Sequence, residues 1–201
     1  MRIRSLGRVA YEPTWRAMQA LTQRRDAQAP DEVWLLEHPP VYTLGLAGRR
    51  EHVLAPGTSP VVQTDRGGQV TYHGPGQAVA YAMLDLRRRS LGVKEMVRRL
   101  EQSAIDVLAG YGIAGERRAG MPGVYVGRAK IAAVGLRVAR GCSYHGLALN
   151  VDLDLEPFSR IDPCGYPGLA CTRLADLGVR DSIDAVQQKL SECLERCLNA
   201  T

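Results

Sequence analysis

The stretch from Val124 to Val151 restricts the fold more than any other, because its apolar residues recur at every second position. Side chains that alternate with period two belong to β-strands, and a one-sided apolar row has to be buried against another layer. After the turn signal Gly127-Arg128, the positions Lys130, Ala132, Val134, Leu136 and Val138 fall on one face, so a lysine begins a buried row. The next candidate strand, 143–152, places His145, Leu147, Leu149 and Val151 on one side. The segment reads as a meander.

Shorter apolar or alternating runs at 33–37, 41–44, 61–64 and 79–85 are separated by proline, glycine and charged turns, which predicts further strands with hairpin connections. Three amphipathic helices follow from spacing: Trp15, Met18 and Leu21 after Pro13; Val97, Leu100, Ala104, Val107 and Leu108 ending at Gly110; and Ile183, Val186, Leu190, Cys193 and Cys197 after the capping residue Ser182. No repeat, linker or low-complexity segment interrupts the 201 residues. The economical reading is a single α/β (α+β) domain over 1–201, with a mixed, largely antiparallel sheet flanked by helices.

Composition narrows the setting. At 45% hydrophobic and 23% charged residues the chain lies well away from intrinsic disorder. Neither a signal-peptide pattern nor a bilayer-length apolar run is present, so a cytoplasmic protein without a membrane partner is expected. Five cysteines, Cys142, Cys164, Cys171, Cys193 and Cys197, make an odd count that favours reduced thiols. The net charge of +5 comes from arginine pairs and triplets such as Arg87-Arg88-Arg89, which read either as solvated faces or as steering for an acidic partner. Nucleic acid is disfavoured, because aromatics make up 5% of the chain and do not interleave with the arginines.

Two residues stand out chemically. Of 26 basic residues only Lys94, Lys130 and Lys189 are lysines, so an amine at the head of an apolar strand face departs from the arginine habit of this chain. Such an amine is partly desolvated, and beside a cysteine it favours the thiolate; the alternative is a lysine that reaches solvent from a strand end. Cys164 lies in the proline- and glycine-rich stretch 156–168, where it is a candidate nucleophile or simply a small hydrophobe. Cys193 and Cys197, four apart on a helix face, read as core, while Cys142 and Cys171 stay ambiguous.

The run Arg66-Gly67-Gly68-Gln69-Val70-Thr71-Tyr72-His73-Gly74-Pro75-Gly76-Gln77 has five glycine or proline positions in twelve, so its backbone can approach a ligand closely. It lacks the Gly-Lys-Ser/Thr of a nucleoside-triphosphate loop. The run 110–115 matches the dinucleotide pattern GxGxxG but follows a helix instead of a strand, and is set aside. A zinc site from Cys142, His145, Cys164 and Cys171 lacks paired Cys-x-x-Cys spacing, and no metal is expected.

The runs RGGQVTYHGPGQ at 66–77, KIAAVG at 130–135, HGLALNV at 145–151 and PCGY at 163–166, with EHPPVYTLG at 37–45, closely resemble the lipoyl(octanoyl) transferases of lipoate biosynthesis. The resemblance implies the fold of biotin and lipoate ligase catalytic domains. It implies an acyltransferase that moves an octanoyl group from octanoyl-acyl carrier protein to a lysine of lipoyl domains, in 2-oxoacid dehydrogenase complexes and the glycine cleavage H protein. By residue, it assigns the acyl-thioester cysteine to Cys164 and the pKa-lowering lysine to Lys130. Substrate-lining segments fall on Arg66 through His73, on Ala133-Val134-Gly135 and on Gly146-Leu147-Ala148. Neither ATP nor a metal is needed by that scheme, and no cofactor is expected. The rivals are an ATP-dependent lipoate or biotin ligase, against which the loop thiol argues, and a noncatalytic effector-binding module on the same fold.

Overall fold

The computed structural model of the chain describes residues 1–162 and 168–200. Its elements run β1 (Arg2–Arg8), α1 (Tyr11–Arg24), β2 (Glu32–Glu37), β3 (Val41–Leu44), β4 (Val61–Gln63), β5 (Val70–His73), β6 (Gln77–Met83), α2 (Val93–Ala109), β7 (Glu116–Arg118), β8 (Met121–Val126), β9 (Ala129–Ala139), β10 (Cys142–Asn150) and α3 (Ile183–Asn199). Seven strands form one sheet in the order β1-β2-β6-β10-β9-β8-β7, and β4-β3-β5 form a second, smaller one. Among the paired strands of the described residues, β1–β2 and β3–β4 are parallel and the others antiparallel. The fold is thus α/β with a mixed, largely antiparallel sheet flanked by helices.

Both faces of the large sheet are covered. On one, α2 and α3 bury Met96, Leu100, Val107, Leu190 and Leu194 against Ala132, Leu136, Leu147 and Leu149. Each fully buried leucine there contributes about 1.5–3 kcal/mol. On the other, Tyr11 and Met18 of α1 pack on Val79, Tyr81, Met83, Tyr144 and Ala148. The start of α3 follows its sequence signal, since the Ser182 hydroxyl accepts from the Ala185 N–H at 3.3 Å. Helix α1 begins two residues before Pro13, and its buried stripe is Tyr11, Thr14, Met18 and Thr22. Trp15 and Leu21 are half-buried at its edges, so the expected stripe is rotated.

Several expectations need correction. Consecutive early strands do not form hairpins: β2 joins β1 and β6, while β3 joins β4 and β5 of the small sheet. Turn signals mark where strands break, not which strands they meet. β1 and β7 carry no sustained apolar alternation in the sequence, because both contain arginine and lie at sheet edges, where none is required. Residues 70–73 of the glycine-rich run form a strand. Three arginines from the clusters do structural work, with Arg25, Arg88 and Arg89 converging on buried Asp31. Burial would raise the Asp31 carboxyl, but the Asp85 N–H and Arg89 hold it below its ordinary value.

The two long strands break their alternation where the chemistry sits. Val124 pairs with Ala132 but Tyr125 pairs with Lys130, so β9 carries one extra residue, Ile131. Ile131 and Ala132 both enter the α2/α3 core, and Lys130 and Ala132 both line a cavity. The bulge interrupts the regular alternation expected between Lys130 and Ala132. Leu147 and Leu149 of β10, with Val151 just past its end, pack in the α2/α3 core as expected, but His145 has φ +61 and stacks on Tyr144 at 5.1 Å. A left-handed non-glycine residue within a strand is strained, and here it turns the imidazole away from the row of Leu147.

Candidate active site

The cavity runs along β9 and β10. Its walls include Lys130 and Ala132 through Gly135 from β9, His145 through Ala148 and Asn150 from β10, and Arg66 through Thr71 with His73 from the glycine-rich run. The segments assigned by resemblance thus surround one space, except Tyr72, which is buried with Tyr42 and Phe158 at ring distances of 5.1 and 5.8 Å. Because β5 alternates, Tyr72 turns into the apolar cluster with Tyr42 and Phe158, and its neighbours Thr71 and His73 take the cavity side. Cys164, with the rest of PCGY, lies outside the described residues.

Lys130 is buried at 5% exposure, so it does not reach solvent from a strand end. Its Nζ donates to the Pro122 carbonyl at 3.0 Å and lies 5.3 Å over the Tyr125 ring. Its backbone is tied to the chain just past the cysteine motif: Lys130 N–H donates to Ala170 O at 2.8 Å, and Thr172 N–H donates to Lys130 O at 3.0 Å. Cys171 is half-buried in this bridge and lines the cavity. Cys142 pairs with Ala139 and Asp85 at the far end of β9, so the candidate zinc ligands Cys142 and Cys171 are held apart by the length of that strand.

A hydrogen-bonded chain links the glycine-rich run to the lysine. His73 Nδ1–H donates to Gln77 Oε1 at 2.7 Å, Gln77 Nε2 donates to Asn150 Oδ1 at 3.0 Å, and Asn150 Nδ2 donates to Thr172 O at 3.0 Å. Burial lowers the His73 pKa to about 3, and the neighbouring His38 adds to this, so the ring is neutral at pH 7. His38 is likewise neutral, lowered to about 4 by burial. It donates from Nδ1 to Val9 O at 2.7 Å and accepts from the Tyr81 hydroxyl at 2.7 Å. These buried side chains are satisfied by one another and by backbone carbonyls, without net charge.

Arg66 folds the run onto the small sheet. Its guanidinium donates to Thr43 O at 2.6 Å, Gly67 O at 2.9 Å and Gln69 O at 2.7 Å. At the other end of the run, Glu37 accepts from the Gly76 N–H at 2.6 Å, and a Cβ on Gly76 would lie 2.6 Å from the Asp152 carbonyl. That approach, with φ +85, explains the glycine.

Asp65, one residue before the run, was missed from sequence. Its carboxylate accepts from Trp15 Nε1 at 2.8 Å, Gln19 Nε2 at 3.0 Å, His145 Nε2 at 3.0 Å and the Tyr144 hydroxyl. Burial would raise the carboxyl, but these hydrogen bonds, led by those of His145 and Tyr144, hold it far below the carboxylate range. His145 is lowered by burial and so donates to Asp65 as a neutral ring. Asn150, Gln77, Tyr11 and Tyr81 also line the cavity without having been singled out. Only the match of Gln77 and Asn150 to the resemblance motifs pointed toward them.

The chain matches the lipoyl protein ligase A/B catalytic domain over residues 10–195. An octanoyltransferase of Thiobacillus denitrificans is 62% identical over 196 residues, covering 98% of this chain and 90% of that protein. One from Alkalilimnicola ehrlichii is 61% identical, covering 97% and 91%. Among solved structures, a lipoate-protein ligase A bound with ATP superposes with TM-score 0.78 at 16% identity, covering 98% of this chain and 86% of that one. The biotin protein ligase of Aquifex aeolicus gives TM-score 0.57 at 11% identity, covering 98% and 68%. At such identities the structural likeness speaks for the fold alone. Among the described residues no helix is long and apolar enough to cross a membrane. The chain belongs to the lipoyl protein ligase A/B catalytic-domain family and, by its relatives, to the octanoyltransferases within it.

Proposed function

We propose that this chain transfers an octanoyl group from octanoyl-acyl carrier protein, through a thioester on Cys164, to the lysine amine of a lipoyl domain. The observation that carries the reading is Lys130, a buried amine at one end of the cavity whose backbone pairs with residues 170–172, shortly after the cysteine motif. Octanoyltransferase relatives at about three-fifths identity support the acyl group.

In this reading the Lys130 ammonium favours the Cys164 thiolate. The thiolate attacks the donor thioester carbonyl, a new C–S bond forms as the bond to the carrier sulfur breaks, and the carrier leaves as a thiol with the proton held on Lys130. The neutral amine of the acceptor lysine then attacks the acyl-enzyme; the C–S bond breaks, an amide forms, and the amine proton returns to the site as the thiolate is released. The acceptors are lipoyl domains of 2-oxoacid dehydrogenase complexes and the glycine cleavage H protein, acting in the first step of lipoate synthesis in the cytoplasm.

Intact mass after mixing the protein with octanoyl-acyl carrier protein, without ATP, tests the scheme. One octanoyl adduct is expected, removed by hydroxylamine, absent in Cys164→Ser and formed much more slowly in Lys130→Ala. No adduct without ATP, with transfer of free octanoate once ATP is added, would establish a ligase instead.

A further inference from the structure

The proposed function leaves open why the acyl group has eight carbons. On the α1 side of the sheet the cavity floor is built from small residues in two cross-strand rows: Ala133 opposite Ala148, and Gly135 opposite Gly146. The row beyond, Arg137 opposite Tyr144, does not line the cavity, and on β10 the lining ends at His145. His145 and Tyr144 stack on each other there, both bonded to Asp65, which is bonded in turn to Trp15 and Gln19 of α1. The Tyr81 ring meets His145 edge-on at 5.9 Å. On β10 the far end of the cavity is therefore a cross-linked polar wall, and Lys130 lies at the near end.

The length of the floor agrees with the chain it would hold. From Asn150 to His145 is five residues, about 17 Å at about 3.4 Å each. Contact distances of about 4 Å at the two ends leave about 9 Å. Seven zigzag carbon–carbon bonds of about 1.5 Å span about 9 Å as well. A small-residue floor accepts a linear chain, whereas a longer chain meets hydrogen-bonded groups that cannot yield without losing their partners.

We infer that His145, buttressed by Asp65 and Tyr144, is the stop that sets acyl length in this enzyme. The inference rests on the proposed transferase function. Its left-handed backbone fits this role, because ordinary alternation would send the imidazole to the α2/α3 core and leave the floor open at this end.

The test is a competition in one tube, in which equal hexanoyl-, octanoyl-, decanoyl- and dodecanoyl-acyl carrier proteins are offered and the acyl-enzyme masses are read. A ratio of adducts does not depend on the fraction of enzyme that is active. His145→Ala should raise the decanoyl-to-octanoyl ratio about tenfold or more, the discrimination that one or two methylenes bring in an apolar pocket. Ala133→Val, which fills the floor, should move the preference toward hexanoyl. Unchanged ratios in both variants, with normal octanoyl adducts, would overturn the stop while sparing the transferase reading. No adduct from any donor with the unaltered protein would overturn both.

Discussion

Replacing Asp65 by alanine should loosen the whole far end of the site, and the cost follows from its partners. The carboxylate accepts four hydrogen bonds. Two donors are cut off from water, with Tyr144 4% and His145 1% exposed. Trp15 and Gln19 are half-buried and rehydrate. A buried donor left unmade costs about 1–3 kcal/mol, so two cost about 4 kcal/mol in the middle of that range. For a chain of this length each kcal/mol moves the midpoint by about 2–4 °C, so a fall of about 8–16 °C is expected by calorimetry. Urea unfolding should show the same loss in midpoint with an unchanged slope. The pH dependence has a fixed sign. The folded carboxyl is depressed, so its stabilisation is present above its unfolded value of about 3.9 and is lost as pH falls through the folded value. The gap between unaltered protein and Asp65→Ala should therefore be constant near neutrality and begin to narrow below about pH 4. A loss under about 1 kcal/mol, or a gap that widens on acidification, would refute the account.

Asp31→Ala should be as damaging without touching the site, since it strands the Arg25 guanidinium at 2% side-chain exposure; breaking such a pair costs about 3–5 kcal/mol, measured by chemical denaturation. Gly45→Ala should slow acyl-enzyme formation more than it lowers stability. Its Cβ would lie 2.2 Å from Gly68 O, a backbone atom, and must push the glycine-rich run out of place; stopped-flow acylation beside a melting curve separates the two effects. Native-state alkylation near pH 7 should spare Cys142, Cys193 and Cys197, whose thiols are all raised by burial, and peptide mapping before and after denaturation checks it.

The helices show what local pattern reveals. α2 and α3 lie where their apolar spacing put them, because a stripe at helical period has to meet a core. Strand positions were also legible, but strand partners were not: β2 and β3 are neighbours in sequence and belong to different sheets. The segments around the cavity were read from motif resemblance. Asp65 was invisible, because a lone aspartate in a loop looks the same whether it meets water or four donors from α1 and β10.

The amino-acid order by itself determined the elements, the glycine-rich run and the resemblance, since these depend on residue type and short spacing. Tertiary structure decided which way the chemistry faces. An extra residue at Ile131 interrupts the alternation between Lys130 and Ala132, and one left-handed residue turns His145 toward Asp65. Period two predicts a face only while the ladder is regular. Bulges and strained backbone are set by the neighbouring strands, which lie far away in sequence.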